Sequence, residues 1–198
     1  INNSKAFFKN VLFERISSED ALNIFGSMFR VEDLIFSESA SDAIDIDFSN
    51  GVIKNSTFKN VNNDGIDLSG SNVNISNIFF TNVGDKLISV GENSNSNINF
   101  IKGQNSFVGI AAKDGSIINA SNISMKNVKI PFSSYQKKKE YNFPKMNISN
   151  LELEEFHVKW LKDQESNLVF EKKNVGLVTK NIIPIIYDKN LKLINLNK

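Results

Sequence analysis

The chain has 198 residues, with 23 Lys+Arg against 22 Asp+Glu and a formal net charge of +1. That balance excludes a general attraction to nucleic acid or to an anionic membrane. There is no cysteine, which excludes a disulfide framework, a thiolate metal site and a cysteine nucleophile. No apolar run approaches the ~18 residues of a membrane-spanning helix, and no signal peptide is visible.

Taken in chain order, short apolar stretches alternate with Asn, Ser and Gly, the pattern of strands and turns. Coil-like sequence starts almost at once, near Asn10. No capping sequence precedes it, so an upstream domain or partner is expected to cover that end. Further units begin near Asp33, Asn55, Asn77, Asn99 and Asn122.

Several rows keep step through these units. Leu22, Ile44, Ile66, Ile88 and Ile110 are spaced by 22, and Ile24, Ile46, Leu68, Val90 and Ala112 follow two residues later. Phe36, Phe58 and Phe80 form a third row, with Phe13 one residue out of step. Asn55, Asn77 and Asn99 form a polar row, with Asn122 one residue late. A constant period with alternation inside each unit predicts an all-β chain, a parallel β-helix of about 22 residues per coil and six to seven coils. Equivalent residues then stack about 4.8 Å apart, as interior aliphatic and Phe ladders and as Asn and Ser ladders at the turns. The same ladders account for the regularly spaced N-x-S/T triplets.

After Asn122 the pattern is interrupted. "SSYQKKKEYNFP" (133–144) reads as a protruding loop. Residues 1–145 are therefore expected to carry the coils, and 146–198 the last coil and an irregular C-terminal cap. "VGLVTKNIIPIIYDKNLKLINL" keeps strand character, with Pro184 marking an edge or a bend.

"NDGIDLSGS", "GDKLISVGENS" and "GIAAKDGS" resemble the right-handed β-helix repeats of the pectate lyase-like superfamily over roughly residues 10–140. The resemblance implies the fold. It transfers no catalytic residue, because that superfamily spans lyases, hydrolases, epimerases, adhesins and spikes.

The aspartates carry the functional question. If Ile44 and Ile46 point inward, Asp45 points outward, so Asn23, Asp45, Asp67 and Ser89 form one outer row and Asp20, Asp42, Asp64 and Lys86 another. Three readings stand side by side. The first is a solvated face with ion pairs such as Asp64–Lys86. The second is a calcium site from Asp42, Asp45, Asp64 and Asp67. The third is a carbohydrate-active cleft on an acidic glycan, with Asp64, Asp67 and Lys86 catalytic and Asp45, Asp85, Glu92, Lys113 and Asp114 binding substrate. The lone His157 and the run Lys137, Lys138 and Lys139 supply no motif. The leading expectation is an extracellular or cell-envelope β-helix module with a structural and carbohydrate-binding role, its partners a polysaccharide or an upstream domain. The alternatives are a polysaccharide lyase, epimerase or hydrolase, and a spike subunit that forms a homotrimer.

Overall fold

A computed structural model describes residues 1–180 and 182–188. Each coil carries three strands, so the solenoid has three faces. The first face opens with Lys5–Lys9 and Met28–Glu32 and runs to Asn167–Phe170, eight rungs among the described residues. The second opens with Leu12–Ile16 and Ile35–Ser39, and the third with Asp20–Phe25, Asp42–Asp47 and Ile66–Ser69. In the middle of the molecule the strands Asn72–Gly91, Asn95–Lys113 and Ile117–Tyr135 run around the corners without a break. Neighbouring coils pair in parallel, and the rungs exceed the expected number by at least one because Asn167–Phe170 adds a rung that lies beyond clear sequence register.

The core follows from the alternation. Ile44, Ile66, Ile88 and Ile110 are completely buried, and so are Ile46, Leu68, Val90 and Ala112. Phe13, Phe36, Phe58 and Phe80 stack with ring centroids 4.7, 5.0 and 4.8 Å apart. Gly103 follows Phe80 in that row, and Leu87 fills the space: a Cβ on Gly103 would lie 2.3 Å from its Cδ1.

Most corners turn on a left-handed residue. One corner uses Asn10, Asp33, Asn55, Asn77, Phe100, Asn122 and Asn150, all with φ between 51° and 57°. Asn and Asp tolerate this region better than other residues with a Cβ. Their amides bond between coils: Asn77 Nδ2 donates to Asn55 Oδ1 at 2.9 Å, and Asn82 Nδ2 to Asn60 Oδ1 at 2.9 Å. A buried serine ladder closes another corner. The backbone N–H of Ser27 donates to Ser49 Oγ, that of Ser49 to Ser71 Oγ, and that of Ser71 to Ser94 Oγ, each at 2.9 Å. These hydroxyls satisfy turn N–H groups that would otherwise be buried unpaired.

The structure corrects three expectations. Asn99 does not occupy the left-handed corner; Phe100 does, facing Asn77, because pairing runs Ser76–Asn99 and Ile78–Ile101. The displacement arises from one added residue in the turn Gly91–Ser94, since Ser69 pairs with Gly91 at a step of 22 and Asn72 with Asn95 at 23. The irregularity between Ser106 and Val108 removes that residue again, so Lys86 pairs with Val108 at 22. Second, Ser133 to Tyr135 belong to a strand, and the loop starts at Gln136. Third, the strand expected near Pro184 is an α-helix, Ile182–Tyr187. Pro184 fits in its first turn, where backbone N–H groups have no partner in the helix. Residue 181 and residues 189–198 of the expected cap lie outside the described residues.

That helix docks on the outside of the third face. Ile182 and Ile186 pack against Val108, Ala111, Ile130, Tyr135 and Leu161, forming a second apolar cluster outside the coil interior.

Candidate functional site

The outer surface of the third face is built from its odd-facing positions. One row runs Asn23, Asp45, Asp67, Ser89 and Ala111 in consecutive coils. Another contains Asp20, Asp42, Asp64 and Lys86, joined by pairing of Asp20 with Asp42 and by side-chain bonds from there on. Both rows are acidic toward the N-terminal end and reach Ala111 and, after Lys86, Val108 where the C-terminal helix lies over them.

The centre of the face is sealed. Asp64 and Lys86 are buried. Asp64 Oδ1 accepts the backbone N–H of Lys86 at 2.9 Å and lies 3.4 Å from its Nζ, while Asp85 Oδ2 lies 2.6 Å from the same Nζ. Burial pushes the Asp64 carboxyl up, against the opposing pull of Lys86. Burial also works against the Lys86 charge, but Asp64 and Asp85 outweigh it and hold the ammonium protonated. Lys113 Nζ sits 3.5 Å from Asp67 Oδ1. Tyr187, from the C-terminal helix, covers this network. Its hydroxyl lies 2.7 Å from that of fully buried Tyr135. Lys86 Nζ is 5.1 Å and Lys137 Nζ 4.5 Å from its ring centroid.

The expected substrate-binding corner forms, with different partners. Asp114 is buried and accepts the backbone N–H groups of Lys137 and Lys138 at 2.6 and 2.7 Å, which fixes the start of the loop. Glu92 pairs with Lys138. These groups position the loop that holds Lys137 over Tyr187.

The open part of the face lies toward the N-terminal end. Asp20, Asp42, Asp45, Asp47 and Asp67 are all partly exposed. Asp45 Oδ2 accepts from Asn23 Nδ2 at 2.9 Å. Burial, followed by the charges of Asp47, Asp67, Asp20 and Asp42, raises its carboxyl to about 7. Burial first and neighbouring carboxylates after it also raise Asp20, Asp42 and Asp47.

Two exposed rings border this patch. Phe25 and Phe48 meet edge to face at 5.7 Å. Phe48 is 59% exposed and holds φ at 49°, between Gly26 and Gly70 in the same corner row. Its ring lies on Gly70, where a Cβ would come within 2.6 Å of it. Sequence reasoning passed over Phe25 and Phe48. The available signal was a bulky residue at a corner that adjacent coils fill with glycine.

Each of the four expected calcium ligands has a protein partner, Asp45 through Asn23. Asp42 Oδ1 is occupied by Asn63 Nδ2 and the Asp64 N–H at 2.6 and 2.8 Å, Asp64 is committed to Lys86, and Asp67 faces Lys113. Among the described residues, no group of three or more acidic, His or Cys side chains is placed to hold a metal. No helix among them is long and apolar enough to cross a membrane.

Coils of three parallel strands around one apolar core, closed by left-handed polar corners, define a parallel β-helix. The chain belongs to the right handed beta helix region family, whose pattern matches residues 20–152. Among solved structures it is similar to a polygalacturonase from Erwinia carotovora ssp. carotovora, at 16% identity and a TM-score of 0.53. That match covers 88% of this chain and 57% of the enzyme, so the chain spans little more than half of the enzyme's length. The likeness is one of fold. No curated protein matches the chain.

Proposed function

We propose that the chain is a carbohydrate-binding β-helix module of the cell exterior or cell envelope, and that the open patch of the third face is the surface that meets sugar. The observation that carries this reading is Phe48, an exposed ring held at a left-handed corner beside Asp45 and Asp47. A bulky residue in that region costs on the order of 1 kcal/mol or more, and burial does not compensate for it here. Phe25 and Phe48 offer flat apolar surface for the C–H face of a sugar ring, and the carboxylates offer acceptors for its hydroxyl or amino groups.

The charge pattern restricts the sugar. An acidic glycan needs free cations, and the lysines that adjoin the patch, Lys86 and Lys113, are engaged by Asp64, Asp85 and Asp67. The patch therefore favours amino-bearing or neutral glycans over uronates. Titration calorimetry with chitosan oligosaccharides and with oligogalacturonates tests the assignment. Chitosan oligomers bind, and Asp45→Asn or Phe48→Gly weakens them about tenfold, an energy in the range of one ring contact or one charged contact. Unchanged affinity in both variants, or preferred binding of oligogalacturonate, removes the assignment.

One observation favours a catalytic reading of the same patch. A carboxyl raised to about 7 suits a general acid, and Asp45 is ladder-paired with a second carboxylate, Asp67. A reducing-end assay on the same oligosaccharides separates the two readings: new ends that vanish in Asp45→Asn make the patch an active site.

A further inference from the structure

A second surface lies at the corner between the first and second faces, around the solenoid from the acidic patch. An open groove of about 650 Å3 runs there along the coil axis. Its working groups are Asn77, Phe79, Phe100, Lys102, Asn122 and Glu152. Phe100 is 58% exposed at φ 53°, in a corner row that the adjoining coils fill with Asn77 and Asn122. Phe79 is exposed in a row that continues as Lys102, Ser124 and Glu152, with Thr57 before it.

Phe100 breaks the pattern of its row without gaining burial. It also interrupts the amide ladder: Asn77 Nδ2 reaches Asn55, and Asn122 Nδ2 reaches Asn99 instead of a neighbour in the corner row. A local rule broken with no structural gain marks a functional position. The same departure occurs at Phe48, on an independent corner.

We infer that this groove binds a linear, uncharged glycan lying along the coil axis, with Phe100 and Phe79 stacking on successive sugar rings. The chemistry selects that class. A peptide strand would need a free sheet edge, and the strands Asn72–Gly91 and Asn95–Lys113 are paired on both sides. A nucleic acid would need net positive charge, whereas Lys102 is balanced by Glu152. Each amide nitrogen keeps a second N–H beyond the one given to its neighbour, and Asn77 and Asn122 place these donors on either side of Phe100. A sugar chain offers both hydroxyls and C–H faces to such a set. The groove spans five successive coils, from Asn55 to Asn150, which suits a polymer.

Affinity electrophoresis in gels containing hydroxyethyl cellulose tests the inference, run at low and high salt. The intact protein is retarded equally at both, because no net charge drives the binding. Phe100→Asn and Phe79→Thr place at each position the residue of a neighbouring coil, so the fold is kept; circular dichroism and thermal midpoint check this. Each variant loses about tenfold in retardation. Unretarded intact protein overturns the inference. So does retardation that survives in both Phe variants.

Discussion

Asp45 shows how a single side chain takes its properties from its row. On an isolated strand it would be an ordinary solvated carboxylate. In the coil stack it is partly buried and faces Asp47, Asp67, Asp20 and Asp42, and its carboxyl rises to about 7. A carboxyl raised on folding binds more protons in the folded state than in the unfolded one. The stability it confers is therefore full below about pH 4 and is lost as the pH rises through about 7. Asp20, Asp42, Asp47 and Asp64 shift in the same direction. The thermal midpoint is expected to be higher at pH 5 than at pH 7.5. Asp45→Asn, which extends an amide ladder from Asn23, flattens that slope and raises the midpoint at pH 7.5. Calorimetry across this range checks it; a midpoint that rises with pH contradicts the assignment. The buried Lys86 has a different standing. It balances Asp64 and Asp85, and such pairs are weak sources of stability although breaking one is costly. Its place under Tyr187 explains why the sequence, which paired Asp64 with Lys86, did not show that the pair is buried.

At the scale of the element, the ladder is the unit of stability. Phe58 is fully buried and stacked on both sides, against Phe36 and Phe80. Phe58→Ala should cost roughly 3–5 kcal/mol, since it removes a core ring and leaves a cavity between two others. Chemical denaturation measures this directly; a loss below about 1 kcal/mol would mean that the flanking rings close the gap. These ladders were the legible part of the sequence. Ile44, Ile66, Ile88 and Ile110 repeat because each must fill the same place in the core, and identical demands write identical residues. The Asn and Ser rows were legible for the same reason. The helix Ile182–Tyr187 was not, because "NIIPIIYD" contains no repeat and its apolar residues suit a strand equally well. The exposed rings Phe48 and Phe100 were illegible for another reason. A row reveals what its members share, and these two matter by differing from their rows.

For the whole molecule, the C-terminal helix decides which parts of the third face remain open. It lies over the apolar half of that face and leaves the acidic half in water. Ile182→Ser with Ile186→Ser should release it, exposing Val108, Ala111, Ile130 and Leu161. The expected result is dye binding to the exposed surface and faster amide exchange in Val108 to Ala111 and Ile130 to Tyr135. Exchange within Phe36, Phe58 and Phe80 stays slow. Uniform acceleration over all coils would mean that the helix is part of the folding core and not a cover laid on it.

The turn Gly91–Ser94 and the irregularity between Ser106 and Val108 have a consequence for how such a chain can change. In an ordinary sheet one inserted residue turns every following side chain over. Here an extra residue enters at one corner and another is dropped at the next but one, so the pairing steps read 22, then 23, then 22 again. The two events stand to each other as a frameshift and its suppressor. Between them, two faces move by one position while the third, with the acidic patch, stays in frame. A solenoid with three corners can thus edit one surface and leave the text of another untouched, and Phe100 stands within the edited passage.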